Sequence, residues 1–415
     1  MPSQTGKPVL RIMPPDKETR NSQFDLFTAR TFTVAWYWFL LAALIAILLR
    51  WFPVYPTNDW DINYLRHTHS HVAFLGWVFN GFFAISLREF IPAKNRKAYF
   101  VLFLVLQAGV IGMAASFPLQ GYGGVSIAFS TLHMVASAVF AWWLWSCSQL
   151  DPGTRLWLRM ALVFMLLSGL GPLILGPLAV LDMRDHPGYT LAIYFYLHCQ
   201  YNGWFILFLI AAVFRRWQLL GGTMSPARLR ASAIALGVGT LLNFSLSLLW
   251  LDPPLAVWIL AAASGLAQIW GIWQLRPIVR MAWEKFDKFL RVLLVLIVFS
   301  LVTKLVLQML ACLPALAPLA YHRFIAIAFL HLVFLGIVTP SLYGWAWHAG
   351  WIHKGVLTRI GHSLYLAGSL VTELVLVIAA LIGLGGLVLP NLQEILLGSA
   401  ITIASGLVLV RPVAP

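Results

Sequence analysis

Three histidines at alternate positions, His67, His69 and His71, lead directly into an apolar run that continues to Leu87. Imidazole is costly to place in a membrane, and where it occurs there it usually lines a polar cavity or binds a metal. In a helix, His67 and His71 share a face because they are four residues apart, whereas His69 points elsewhere. This segment is therefore a candidate metal or cofactor site.

Three further histidines are predicted to lie as deep in the membrane as His71, each in a different apolar segment: His133, His198 and His331. At ~1.5 Å per residue, His198 and His331 lie roughly 14 Å below the outer surface, and the other two lie at a similar depth. A single buried histidine is more often a hydrogen-bonded core residue than a ligand. Agreement in depth across four segments favours a shared site.

The neighbours of two of these histidines favour a cavity. His133 lies in a stripe of small polar residues at helical spacing, and such a stripe lets helices or a flat ligand approach closely. Its members are Ser126, Ser130, His133 and Ser137. The other lies on a largely aromatic face formed by Tyr194, His198, Tyr201, Asn202 and Phe205.

Two charged residues, Lys304 and Glu373, also fall within apolar segments. We expect them to form a pair, and the alternative is that they belong to a proton path. The remaining histidines are expected near the two surfaces of the membrane. His186 and His322 join His67 and His69 near the outer surface, and His348, His353 and His362 lie near the inner one.

The composition is that of a polytopic membrane protein, with 60% hydrophobic and only 10% charged residues and a mean hydropathy of +0.84. The net charge of +14 sits in short loops between apolar runs, which excludes nucleic acid as a partner and leaves membrane lipids as the surroundings. The three cysteines lie far apart, so we expect neither disulfides nor a cysteine-based metal site.

Runs of about 20 apolar residues predict an all-α bundle of twelve membrane spans over residues 31–411, preceded by a polar tail over residues 1–30 that lacks the apolar core of a signal peptide. No soluble domain is expected, and no internal repeat is obvious. The predicted spans are roughly 31–52, 64–88, 98–117, 124–147, 156–180, 189–214, 229–250, 254–275, 288–311, 321–346, 357–384 and 390–410.

Lysine and arginine are concentrated on one side of these spans. The tail, the loops after the even-numbered spans and the end of the chain carry nearly all of them, whereas the opposite loops are acidic and hold Asp59, Asp61, Asp182, Asp185 and Asp252. Basic loops stay in the cytoplasm. Both termini are therefore predicted to be cytoplasmic, in a multi-pass protein of the bacterial inner membrane.

The segments around His71, His198 and His331 resemble the catalytic subunit of the haem–copper oxidase and nitric-oxide reductase superfamily, whose fold has twelve spans and cytoplasmic termini. His71, which precedes Gly81-Phe82-Phe83, resembles the low-spin haem ligand of span 2. His198 in Tyr196-Leu197-His198-Cys199-Gln200-Tyr201 resembles the copper-ligating histidine of span 6. His331 in His331-Leu332-Val333-Phe334-Leu335-Gly336 resembles the span 10 ligand.

The chain departs from that pattern in span 7, where the family has a histidine pair and this sequence has Asn243-Phe244-Ser245-Leu246-Ser247. Span 10 offers one histidine where the family has two, and His133 has no counterpart. The run from His67 to His71 is also similar to the histidine-rich motif of the NnrS family, membrane haem–copper proteins linked to nitric-oxide stress.

These resemblances imply a haem protein in which His71 and His331 supply the two axial imidazoles of one haem. His198 and His133, with Tyr201 and Asn202 nearby, would form a second site for a metal such as copper, a second haem or a small gas. If that site is catalytic, it would reduce nitric oxide or dioxygen with electrons from quinol or a cytochrome c, with or without partner subunits.

Three other functions fit the same residues. The missing span 7 histidines favour a non-catalytic haem module that serves assembly or the nitric-oxide response. Lys304 and Glu373 suit a transporter with a histidine-lined path. The third alternative is a structural subunit of a respiratory complex.

Overall fold

The computed structural model describes residues 22–56, 60–92, 96–147 and 149–413. Within these ranges the chain forms helices and turns, and the only β-type pairing is an isolated bridge between Ile352 and Pro412. Twelve helical stretches are long and apolar enough to cross a membrane. The prediction of an all-α chain with twelve spans is therefore confirmed.

The twelve spans are Gln23–Val54, Ile62–Glu89, Lys97–Gln120, Gly124–Trp145, Pro152–Val180, Pro187–Leu219, Pro226–Leu251, Leu255–Trp273, Lys288–Leu310, Arg323–Ala349, Val356–Leu384 and Leu392–Leu409. Two short helices, Arg276–Lys285 and Ala317–Ala320, precede spans 9 and 10. We call "outer" the side that carries the loop between spans 1 and 2.

Span 1 begins earlier than the sequence predicts. Residues 22–30, assigned to the polar tail, are helical, and residues 1–21 lie outside the described ranges. Phe24 and Phe27 are buried there, and the Phe27 ring contacts the rings of Phe100 and Phe103 of span 3. Burial of these aromatic rings extends the helix past the charged residues among them.

Consecutive spans pack against one another, and span 12 packs against span 1, which closes the spans into a ring. Spans 2 and 6 are the most buried, each with 83% of its apolar window inside the protein. Span 10 joins them through the Trp77 indole, which donates to the Thr339 hydroxyl at 3.0 Å. Spans 2, 6 and 10 therefore form the centre, and each is the second helix of a four-span unit.

The three central spans share a local motif that the sequence prediction missed. Each has a histidine, an aromatic residue three positions later and a glycine five positions later, and each contains a π-helical segment in the same register. The π-helical segments are Val72–Val78, Cys199–Phe205 and Phe334–Val338. The sequence shows no obvious internal repeat because only these few positions match. π-helical turns are rare and frequent at functional sites.

The motif glycine lets each central span approach the first helix of its own unit. A Cβ added at Gly76 would lie 2.8 Å from the Trp38 side chain in span 1. At Gly203 it would lie 2.3 Å from the Phe164 ring in span 5, and at Gly336 it would lie close to Ser300 in span 9. The three units therefore share the same close helix contact, which fixes where each motif histidine stands.

We predict that Gly203→Ala lowers the free energy of unfolding by about 1–3 kcal/mol, because the new methyl group meets a rigid phenyl ring. Thermal unfolding in detergent, followed by circular dichroism, measures the change. Gly398→Ala is the matched control, since a Cβ there meets no atom within 4 Å and alanine favours a helix by roughly 0.5–1 kcal/mol. Equal melting of the Gly203 variant and the wild type would contradict the close approach.

Candidate functional site

The histidines from His67 to His71 lie on two different faces of span 2. The His69 ring packs toward span 1, where its Nδ1 lies 2.9 Å from the Ala42 carbonyl oxygen. The His71 ring packs toward span 3, with its centroid 4.4 Å from that of Phe117. The alternation in the sequence therefore separates the middle histidine from its neighbours, as helical geometry requires.

Hydrogen bonds fix the tautomers of both rings. A carbonyl oxygen only accepts, so Nδ1 of His69 donates to Ala42, and Nδ1 of His71 donates to the His67 carbonyl at 2.8 Å. In the neutral rings Nε2 is then left with a free lone pair. A metal-binding histidine usually has this arrangement, with its other ring nitrogen donating to a carbonyl or carboxylate.

His331 lies on the side of span 10 that faces span 11 and span 2. Its Nδ1 is 3.9 Å from Oε1 of Glu373, and neither atom has a hydrogen-bond partner. His69 is close enough for its charge to act on His331, as is Arg50. The His331 and Glu373 side chains remain 29% and 22% accessible, so neither is sealed within the core.

Three arginines gather near the outer ends of spans 1, 2 and 10. Arg50 lies in the last turns of span 1, Arg66 in the first turns of span 2, and Arg323 begins span 10. The charge of Arg323 acts on both of the others. No carboxylate within salt-bridge distance of them is found among the described residues, and Asp61 acts on Arg66 only at longer range. Such a cluster favours an anion.

His133 in span 4 is buried, with 1% of its surface exposed. The Ser137 hydroxyl donates its proton to the His133 carbonyl at 2.8 Å, so it accepts from His133 Nδ1 at 3.2 Å. His133 Nε2 has no partner. Its ring contacts that of Phe79 and lies within electrostatic reach of His71. His133 therefore belongs with His71, in the unit of spans 1–4.

His198 belongs to the next unit, and both of its ring nitrogens are occupied. Nε2 donates to the Thr240 carbonyl at 2.6 Å, and Nδ1 accepts from Asn202 Nδ2 at 3.1 Å. Tyr201 is buried with its ring edge against Phe74, 5.1 Å between centroids. In this structure His198 is a hydrogen-bonded core residue, and the second site of His198 and His133 with Tyr201 and Asn202 stays a prediction.

The expected pair of Lys304 and Glu373 does not form. Lys304 Nζ donates to Gln308 Oε1 at 2.8 Å, and Gln308 donates onward to Asn243 Oδ1 at 2.7 Å. Glu373 instead faces His331. Both charges lie in the unit of spans 9–12, but Lys304 faces span 7 whereas Glu373 faces span 10, a separation that cannot be read from their similar depth.

Nor is His362 interfacial, as the sequence predicted. It is 3% exposed, both of its ring nitrogens lack partners, and its ring lies 4.9 Å from that of Tyr343 and 5.1 Å from that of Phe289. Span 11 enters the bundle several residues earlier than its polar start suggests, because Gly361 packs against Gly406 of span 12.

The described side chains bring two pairs of imidazoles together, but no group of three or more His, Cys, Asp or Glu residues that could hold a metal ion. His69 lies within electrostatic range of His331, and His67 and His71 share one helix face. The predicted axial pairing of His71 with His331 stays a prediction, and His69 is the alternative partner on span 2. The sequence does not mark Arg50 as a site residue, because a single basic residue near a span end indicates only the orientation of the span in the membrane.

The chain matches no protein-family model and no curated protein. The function therefore rests on the geometry of these side chains.

We predict that His198→Ala lowers the free energy of unfolding by about 1–3 kcal/mol, because it strands the buried amide of Asn202 and the carbonyl of Thr240. Thermal unfolding in detergent measures this loss, and His353→Ala, at an exposed position, is the control. Loss of bound metal or haem from the His198 variant at unchanged stability would show that His198 is a ligand after all.

Proposed function

We propose that this protein is a membrane haem protein that transfers electrons, with His69 and His331 as the axial ligands of one haem. The observation that carries the proposal is the pair itself: two imidazoles within electrostatic range on neighbouring central spans, beneath a cluster of arginines. Two neutral imidazoles suit a six-coordinate, low-spin iron, and haem would supply one-electron chemistry at this place.

The depths of the two histidines support the pairing. The hydrogen bond between Trp77 and Thr339 joins spans 2 and 10 at positions that are each eight residues further along the chain than His69 and His331. Both spans run in the same direction, so the two imidazoles stand at roughly the same level. A flat group held by both would lie between the spans in the outer half of the membrane.

The residues around the two histidines suit both the propionate carboxylates and the iron of a haem. Arg50, Arg66 and Arg323 would bind the propionate carboxylates, which supply the negative charge that the cluster lacks. Glu373 would orient His331 through Nδ1, leaving Nε2 for iron. A carboxylate at this position also raises the basicity of the imidazole, which tunes the reduction potential.

As in the haem–copper oxidases, spans 2 and 10 would provide the haem ligands. The ligand on span 2 would be His69, which lies on a different face of the helix from His71. Reduction of a gas is not part of it, because His198 is hydrogen-bonded at both nitrogens. A haem module that passes electrons, or one that serves the nitric-oxide response, suits the geometry better. We place it in a bacterial inner membrane with cytoplasmic termini, on the distribution of basic loops.

We expect purified protein to show a low-spin haem spectrum and one haem by the pyridine haemochrome assay. His69→Ala and His331→Ala should each abolish the low-spin bands, because each removes an axial ligand. His353→Ala and His198→Ala should keep them, the first as a surface control and the second as a buried one.

His71→Ala decides between the two possible span 2 ligands. Retention of the low-spin spectrum in this variant, with its loss in His69→Ala, supports the proposed pair. The opposite result assigns the haem to His71 and His331. Protein that folds and purifies without haem absorbance overturns the haem function and favours a histidine-lined transporter.

Glu373→Gln should raise the midpoint potential of the haem, because removing the negative charge beside His331 disfavours the oxidised, more positive iron. Spectroelectrochemical titration measures the shift. Glu394→Gln, at the start of span 12, is the matched control and should leave the potential unchanged. A fall in potential, or equal potentials in the Glu373 variant and the wild type, would show that the carboxylate does not act on the ligand.

A further inference from the structure

We infer that Lys304 and Gln268 bind a chloride ion in a cavity between spans 6, 7, 8 and 9. The cavity lies where the unit of spans 5–8 meets the unit of spans 9–12. This site is separate from His69 and His331, and the inference does not depend on the proposed haem.

Lys304 is a buried cation without a counterion. It lies in span 9 with 2% of its surface exposed. Its ammonium can donate three hydrogen bonds, and one is found among the described residues, to Gln308 Oε1 at 2.8 Å. No carboxylate in the described part of the chain lies within salt-bridge distance of it. Because an unpaired buried charge is strongly destabilising, an anion beside Lys304 would stabilise the fold.

The cavity beside Lys304 has a volume of about 10 Å³ and is lined by side chains from four spans. Its polar lining residues are Asn202 of span 6, Thr240 of span 7, Gln268 of span 8 and Lys304 of span 9, and the others are isoleucine and leucine. A volume of this size holds one group about as large as a water molecule. The cavity therefore suits a single monatomic ion and excludes a carboxylate or a sulfate.

Gln268 supplies a second donor to this cavity. It is 3% exposed, and its Nε2 has no hydrogen-bond partner among the described residues. The wall also holds an acceptor without a partner, Asn202 Oδ1, which can take one of the remaining protons of Lys304. Lys304 and Gln268 then each keep an N–H group for a ligand. Two donors, one of them charged, favour an anion over a water molecule.

The charges around the cavity agree with an anion. His198 lies within electrostatic reach of Lys304, and it is neutral because Nε2 donates to the Thr240 carbonyl while Nδ1 accepts from Asn202. Glu373, the carboxylate at a similar depth, faces His331 instead. The positive charge of Lys304 is therefore left for a ligand. Among monatomic anions chloride is abundant, and it gives up its hydration water more readily than fluoride does.

The test is the melting temperature of the purified full-length protein in detergent, in sodium chloride and in sodium gluconate at equal concentrations. An ion that binds only the folded state raises the melting temperature as its concentration grows. We expect chloride and bromide to raise it relative to gluconate, an anion too large for the cavity. Crystals grown in bromide should show an anomalous scattering peak between Lys304 and Gln268.

Lys304→Met should weaken chloride binding at least about 10-fold, because it removes a hydrogen bond from a charged donor. It should also remove the difference between the two salts. Lys288→Met is the matched control, since Lys288 is exposed at the inner start of the same span. Gln268→Glu places a carboxylate beside Lys304, so this variant should melt in both salts at the temperature of the wild type in chloride.

Equal melting of folded wild-type protein in chloride and gluconate overturns the inference, and so does a chloride effect that persists in Lys304→Met. A chloride effect that is lost in Lys304→Met and Gln268→Glu but kept in Lys288→Met supports it. If Lys304→Met fails to fold, Gln268→Glu decides, because a chloride effect retained there places the ion elsewhere. None of these measurements needs haem, so loss of the haem proposal leaves this site standing.

Discussion

A ring nitrogen inside a membrane protein needs a partner, because neither lipid nor apolar side chains can replace water. The histidines of this chain meet the requirement in different ways. His198 is satisfied at both nitrogens by its own helix and by span 7. His69 and His71 are satisfied at Nδ1 by a backbone carbonyl, and their Nε2 lone pairs remain. The Nε2 lone pairs of His69 and His71 are therefore free for a ligand, and buried His362 leaves both of its ring nitrogens without a partner.

The architecture that holds them is a threefold repetition of a four-helix unit. In each unit the second helix is central, and a glycine lets it lie close against the first. A π-helical segment overlaps or follows the motif in each unit. Its turn holds an extra residue, so the side chains before the segment point in different directions from those after it. The units have diverged in what they hold: free imidazoles in the first, a closed polar network in the second and the His331–Glu373 pair in the third.

Much of this could be predicted from the sequence. Apolar runs fix the number and order of the spans, and counting residues from the span ends places His71, His198 and His331 in one layer. The sequence does not show how each helix is rotated about its axis, because tertiary packing sets the rotation. That rotation decides whether His69 or His71 meets His331, and it also separates Lys304 from Glu373.

The repeat could be found only with the structure, since three matching positions in six do not stand out in an apolar sequence. Once the π-helical segments mark the register, His71 with Gly76, His198 with Gly203 and His331 with Gly336 fall into equivalent places. The arginine cluster was hidden for the same reason. Arg50, Arg66 and Arg323 are far apart in sequence and come together only when span 10 packs beside spans 1 and 2.

The most direct test of the account is a cryo-electron microscopy map of the purified protein in lipid nanodiscs. The account predicts flat density the size of a porphyrin between the imidazoles of residues 69 and 331, with its carboxylates toward Arg50 and Arg323. Side chains packed directly together in that space, or such density on the face of span 2 that carries His71, would contradict it.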